Sequence, residues 1–160
     1  MRVKVNMAIE IQLSRGYVAV IDDCDADLLE MKWHPRVNKK SSTVYVSHST
    51  GMLHQIIFER MTGKRLRGNL KVIDHVNRNG LDNRRENLRL ATNGQNIVNR
   101  EHKPGRSGHR GARQSPNGRW VAKISATHLG TFDTIEEAIA TYQKAAKERW
   151  GDFYNPESTA

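Results

Sequence analysis

Apolar and polar positions alternate through residues 10–22, EIQLSRGYVAVID, and Ser14-Arg15-Gly16 interrupts the alternation, so this stretch predicts a strand, a hairpin turn and a second strand. Residues 25–31 carry Leu28, Leu29 and Met31 and predict a short helix, Trp33 follows as a core anchor, and residues 43–47 return to a strand pattern. Leu53, Ile56 and Ile57 have helical spacing within residues 52–61. Residues 71–73 form a short apolar run that reads as a strand. Asn77, Asn79, Gly80, Asp82 and Asn83 follow, turn formers whose side chains bond their own backbone and build an ordered loop without a core. Thr92 and Gln95 have capping-box spacing, which places Asn96 in the first turn of a helix.

Beyond Arg100 the periodicity lapses into EHKPGRSG, polar and punctuated by Pro and Gly, a linker over residues 101–108. Residues 109–114, 119–125 and 128–132 then read as three short strands, with Pro116-Asn117-Gly118 as the turn between the first two. Thr134 and Glu137 form a capping box, and Ile135, Ala138, Ile139, Tyr142, Ala145 and Ala146 recur at helical spacing to cover one sheet face. With 37% hydrophobic and 6% aromatic residues, the 160-residue chain suits small modules in series better than one large core. The expected division is 1–100, with its functional core at about 52–100, the linker 101–108, and a second module at 109–155.

Charge sharpens this picture. There are 26 Lys and Arg against 17 Asp and Glu, a formal net charge of +9 and a pI near 10.0, enough for salt-sensitive attraction to phosphate. Residues 1–50 carry seven basic and six acidic side chains, 51–105 eleven and five, and 106–160 eight and six, so the excess lies in the middle segment. Cys24 stands alone, which excludes an intramolecular disulfide and a cysteine-clustered zinc site and fits a reducing cytoplasm, bacterial or that of a phage-infected host. No apolar run is long enough for a membrane helix, and the N-terminus lacks a signal-peptide core.

The chemistry is concentrated in residues 72–96, VIDHVNRNGLDNRRENLRLATNGQN. Asp74 and His75, at the end of a strand, can project a carboxylate and an imidazole base into one cleft. Strand, loop and helix return the chain so that Asp74 and Asn96 can offer two oxygen ligands to one divalent ion, with water in the remaining positions. Metal-assisted hydrolysis needs a nucleophilic water, a base titrating near neutrality and a cation to absorb charge on the phosphate. A calcium loop is the competing reading, because Asn77, Asn79, Gly80 and Glu86 fall at the third, fifth, sixth and twelfth positions of an EF-hand. That loop would open on His75 in place of aspartate, and Arg78, Arg84 and Arg85 oppose a doubly charged ion.

These residues resemble the HNH endonucleases, in the branch common among phage and intron-encoded homing enzymes. The resemblance implies a ββα-metal (His-Me finger) core in which His75 is the general base, Asp74 and Asn96 hold the metal, and Asn87 completes the catalytic set by bracing the loop. The third motif position is Asn96 and not histidine, a variant similar to the one-metal nicking homing enzymes. Two oxygen ligands favour a hard ion, Mg2+ first and Mn2+ second. Arg78, Arg84, Arg85 and Arg89 would hold phosphates beside the cut, and His54 is expected as a packing residue behind the site.

The second module resembles the AP2 DNA-binding domain in Arg110-Gly111-Ala112-Arg113, Gly118-Arg119-Trp120-Val121-Ala122, Leu129-Gly130-Thr131-Phe132 and the Glu-Glu-Ala helix. That resemblance implies a three-stranded sheet in the major groove with a helix behind it, and Arg110, Arg113, Arg119 and Lys123 as DNA contacts. Alternation sets Arg119, Val121 and Lys123 on the face toward DNA and Trp120, Ala122 and Ile124 toward the helix. Ser115 and Asn117 replace the arginine and tryptophan common in plant members and Lys123 replaces an acidic residue, which favours phosphate contact over base readout.

The expected fold class is therefore α+β: a β-rich N-terminal scaffold with a ββα-metal nuclease core, then a small sheet-plus-helix DNA-binding module. The expected function is metal-dependent hydrolysis of duplex DNA by a homing-type endonuclease, approaching through the minor groove and leaving 3′-hydroxyl and 5′-phosphate ends. A monomer with one site cuts one strand at a time, and a dimer would make paired cuts. The alternatives are a non-catalytic DNA-binding regulator and a nuclease specific for RNA or for DNA structure.

Overall fold

The computed structural model describes residues 7–39, 43–66, 70–100 and 108–156. The chain divides into two compact units, Met1–Asn93 and Gly94–Ala160.

The first unit begins with an antiparallel hairpin of β1 (Ala8–Gln12) and β2 (Val18–Asp22), in which Ile9 faces Ile21 and Ile11 faces Ala19. Its turn needs two successive left-handed residues, Arg15 (φ 64°) and Gly16 (φ 74°), and glycine takes that conformation without a Cβ penalty. The expected short helix is present as a 3₁₀ helix over Asp23–Glu30. It is interrupted at Asp25 (φ −111°), whose carboxylate turns inward. Trp33 is the anchor its position predicted: it is buried, and its indole N–H donates to the Leu28 carbonyl at 2.7 Å.

A three-stranded antiparallel sheet follows, ordered β3 (His34–Val37), β4 (Val44–His48) and β5 (Gly51–Met52). The pattern of apolar residues did not predict β3, because Pro35 and two exposed basic positions, His34 and Arg36, hide its alternation. Helix α1 (Leu53–Thr62) starts directly from β5, buries Leu53 and Ile57 completely, and stops at Gly63 in the left-handed C-cap conformation. Strands β6 (Lys71–His75) and β7 (Leu88–Thr92) pair antiparallel, with Asp74 opposite Arg89 and His75 opposite Leu88. One core joins these elements: Ile11, Leu13, Ala19, Ile21, Leu28 and Trp33 from the scaffold pack with Val46, Leu53, Ile57, Phe58 and Leu88.

The second unit contains α2 (Asn93–Asn99), the antiparallel meander β8 (Ala112–Gln114), β9 (Trp120–Ile124) and β10 (Thr127–Phe132), and helix α3 (Ile135–Trp150). The units part between Asn93 and Gly94 and not at residue 100, because Val98 of α2 is buried with Ile124, Tyr142, Ala146 and Tyr154. Most of the expected linker, residues 101–107, lies outside the described residues. The sheet packs on α3 through small side chains, Ala112 and Ala122 against Ala138. That close approach dictates Gly111, left-handed at φ 75°, where a Cβ would lie 2.0 Å from the Tyr142 ring. Thr134 caps α3 by accepting from the Glu137 backbone N–H at 3.3 Å.

Buried charge ties the first unit together. The Asp25 carboxylate is fully buried and receives Arg60 Nη1 at 3.2 Å, Arg85 Nε at 2.9 Å and Arg85 Nη2 at 3.0 Å. The neighbouring Asp22 accepts the Arg85 backbone N–H at 2.7 Å. Removing one member of a buried ion network leaves uncompensated charge, so Asp25→Ala should lower stability by about 3 kcal/mol. A urea-midpoint comparison checks this, and a loss below about 1 kcal/mol would show that the arginines find equal partners in water.

Candidate active site

The carboxyl end of β6 delivers Asp74 and His75 side by side, both about 5% exposed or less. Consecutive strand residues point to opposite faces, yet the Asp74 carboxylate is near enough for its charge to favour the protonated His75 imidazole. Asp74 faces its cross-strand partner Arg89, whose Nε and Nη2 both lie 2.8 Å from Oδ2.

His75 enters a cluster of three rings. Its centroid lies 5.2 Å from the His54 ring, edge-on at 80°, and 5.9 Å from the Tyr45 ring, which is itself 5.7 Å from His54. β4 supplies the tyrosine, the first turn of α1 supplies His54, and β6 supplies His75. His75 Nε2 also lies 3.4 Å from Asn83 Oδ1. The Asn83 amide is oriented by its own nitrogen, which donates to the Leu81 carbonyl at 3.0 Å, so the oxygen faces the imidazole. An amide oxygen only accepts, which assigns the ring proton to Nε2 and leaves Nδ1 as the basic nitrogen. Burial holds the His75 pKa below its ordinary value, partly offset by the Asn83 contact and by Asp74 and Asp82. At neutral pH the imidazole is unprotonated, the state a general base requires.

The loop between β6 and β7 is held by side-chain amides, not by a core. Asn87 Oδ1 accepts the Asn77 backbone N–H at 2.9 Å, and its Nδ2 donates to Asn77 Oδ1 at 2.9 Å and to the Asp82 carbonyl at 2.7 Å. Asn77 Nδ2 in turn donates to Asp82 Oδ2 at 2.8 Å. Asn87 thus clamps the two ends of the loop together, and Val76 N–H donates to its carbonyl at 2.9 Å. Gly80 lets the loop lie against β4, since a Cβ there would sit 2.4 Å from the Val44 carbonyl oxygen.

The four loop arginines divide. Arg84 pairs with Asp82 and Glu86, Arg85 with Asp25, and Arg89 with Asp74, so three of the four expected phosphate contacts are engaged by carboxylates of the protein itself. The fourth, Arg78, occupies a left-handed position at φ 66°. Asn96 is in the first turn of α2, half-buried, and belongs to the second unit. Among the described residues no group of three or more His, Cys, Asp and Glu side chains could hold a metal ion. Asp74 offers a buried carboxylate, a hard oxygen donor of the kind divalent cations accept.

In the second unit Arg113 and Lys123 are exposed, on the sheet face opposite Ala112 and Ala122. Arg119 is also exposed and pairs with Asp133 at 2.8 Å. Arg110 turns inward, donating from Nη1 to the Val98 carbonyl at 3.1 Å. Val121, expected to face outward, is buried at the centre of the sheet between Arg113 and Thr131. Nothing local marks Tyr45 or Asn83 as neighbours of His75, since each is a common residue type in an ordinary strand or turn.

Residues 52–98 match the HNH endonuclease family. An uncharacterized HNH endonuclease of Acanthamoeba polyphaga mimivirus is 32% identical over 114 residues, 69% of this chain and 60% of that protein. The chain thus spans about 60% of the length of that relative. Ethylene-responsive transcription factors of Medicago truncatula and Arabidopsis thaliana are 52% and 50% identical over 42 residues, 22% of this chain and 16% and 17% of theirs. No solved structure matches the chain. No helix among the described residues is long and apolar enough to cross a membrane.

His54 gives this site a testable signature. Its Nδ1 is buried without a hydrogen-bond partner among the described residues, and burial, with His75 adding to it, pushes its pKa down to about 3 from 6.5. The folded state binds that proton more weakly than the unfolded chain, so stability is complete above pH 6.5 and falls as pH drops from 6.5 toward 3. In His54→Phe the fall between pH 6 and pH 4 should be shallower by up to about 1.4 kcal/mol per pH unit. Denaturant titrations at several pH values check it, and an unchanged slope would show that His54 stays solvated.

Proposed function

We propose that this chain is a metal-dependent endonuclease that hydrolyses phosphodiester bonds in duplex DNA, of the homing type and acting as a nickase when monomeric. The observation that carries the reading is the neutral, buried His75, oriented by Asn83 and two rings, beside the buried carboxylate of Asp74. The match of residues 52–98 to HNH endonucleases supports the same reaction class.

In this reading Asp74 is a ligand of one divalent ion, Mg2+ or Mn2+. When bound, that ion offsets the charge that builds on the phosphate and on the leaving oxygen. His75 Nδ1 takes a proton from water as the water oxygen bonds to phosphorus, the bond to the 3′ oxygen breaks, and that oxygen is protonated from solvent. The products are a 3′-hydroxyl and a 5′-phosphate. Asn87 acts through the loop it clamps, and Arg78 is a proposed phosphate contact.

The second unit, in the same reading, is an AP2-like module that fixes the enzyme on duplex DNA. The exposed Arg113, Arg119 and Lys123 are its proposed contacts, and Arg110 serves the fold of the unit. The short match to ethylene-responsive transcription factors supports this assignment.

Two measurements test the reading. Supercoiled plasmid incubated with Mg2+ at low salt should yield open circles, and none with EDTA or with His75→Ala, while His75→Ala still binds DNA. Plasmid left intact by every protein, with a gel shift insensitive to chelator, would favour a DNA-binding regulator. For binding, Arg113→Ala and Lys123→Ala should each lower the slope of log K against log salt by about 1. An unchanged slope in both would remove the sheet face from the interface.

A further inference from the structure

Arg89 is placed where a phosphate contact would not need to be. It stands directly opposite Asp74 in the β6–β7 register, and its Nε donates to one carboxylate oxygen at 2.8 Å, with Nη2 at the same distance as a charge contact. Its side chain is 18% exposed and that of Asp74 is 5% exposed, so solvent screens the pair weakly. The two other paired arginines of this segment behave differently: Arg84 and Arg85 neutralise Asp82 and Asp25, carboxylates that are not beside His75 in the chain. Arg89 is bound to the carboxylate that adjoins the proposed base.

A guanidinium and a divalent cation make opposed demands on one carboxylate. The guanidinium orients the side chain through its Nε donor, and it offsets the negative charge that would draw the cation. Ligand orientation by a neighbouring group is a general device of metal sites, and a ligating carboxylate is ordinarily held by hydrogen-bond donors. A donor that is also a cation repels the metal it helps to receive. Resting on the reading of Asp74 as a metal ligand, we propose that Arg89 is a positioning residue that holds Asp74 in its ligating orientation and sets a weak metal affinity in the DNA-free protein. The site then has geometry before it has metal.

The test is Mn2+ binding to the full chain without DNA, followed by the electron paramagnetic resonance signal of free Mn2+, with thermal melting as a check on folding. Arg89→Gln removes the charge while keeping one amide donor, and it should bind Mn2+ about fivefold more tightly than wild type or better, the size expected when one part-buried charge contact is lost. Its nicking should half-saturate at lower Mn2+ yet proceed more slowly at saturation, because Asp74 has lost the guanidinium that orients it. Asp74→Asn should lose most Mn2+ binding, and Arg89→Gln combined with Asp74→Asn should bind as weakly as Asp74→Asn alone. Equal or weaker Mn2+ binding by folded Arg89→Gln would overturn the proposal while leaving Asp74 a ligand. Unchanged binding by Asp74→Asn would instead overturn the ligand assignment and the inference built on it. Should Arg89→Gln fail to fold, Arg89→Lys replaces the planar guanidinium with a mobile, more strongly hydrated point charge and should bind Mn2+ about twofold more tightly; unchanged affinity in that variant counts against the proposal.

Discussion

The buried carboxylate of Asp25 is the constraint on which the first unit depends. A charge with no access to solvent needs partners, and its partners are Arg60 on α1 and Arg85 at the end of the loop before β7. These residues are 35 and 60 positions away in the chain. Meeting the demand of one ion therefore brings the scaffold, the helix and the loop of the proposed active site to fixed positions. The second bond, from the Arg85 backbone to Asp22, holds the same loop to the end of β2. With a small apolar core, such polar cross-links carry part of the specificity that packing supplies in larger domains.

The surroundings of His75 follow from those positions. Once α1 and β4 are set, His54 and Tyr45 stand beside the end of β6, and the loop places Asn83 against the imidazole. The loop can do so because Asn87, Asn77 and Asp82 satisfy one another and the backbone, so it needs no apolar contacts of its own. Burial sets the imidazole neutral and the amide contact sets its tautomer. Two properties needed for proton abstraction thus come from scaffold residues that never meet substrate in the proposed reaction.

Much of this was legible in the sequence where the signal is local. Alternation and turn residues located β1, β2, β9 and β10, and the Thr134–Glu137 box located the start of α3. The clustering of Asp74, His75 and the Asn-rich loop was visible because those residues are contiguous. What stayed hidden is non-local. The fates of Arg85 and Arg89 depend on carboxylates 60 and 15 residues away, and nothing in a basic run distinguishes a phosphate contact from an internal ion pair. Arg110 was misplaced for the same reason, its partner being the Val98 carbonyl. β3 was hidden because Pro35 and polar neighbours on an exposed strand erase the period of two. The boundary between units moved because Val98, a lone apolar residue in a polar helix, packs with the second core.

The most direct test of the account is chemical rescue. His75→Gly leaves a cavity where the proposed base stood, and added imidazole can supply the missing nitrogen. Nicking by this variant should be near background without imidazole and should rise with the concentration of its unprotonated form, while DNA binding stays constant. Cutting at the wild-type rate without imidazole, or no rescue by any imidazole in a folded, DNA-binding variant, would contradict the assignment of His75 as the general base.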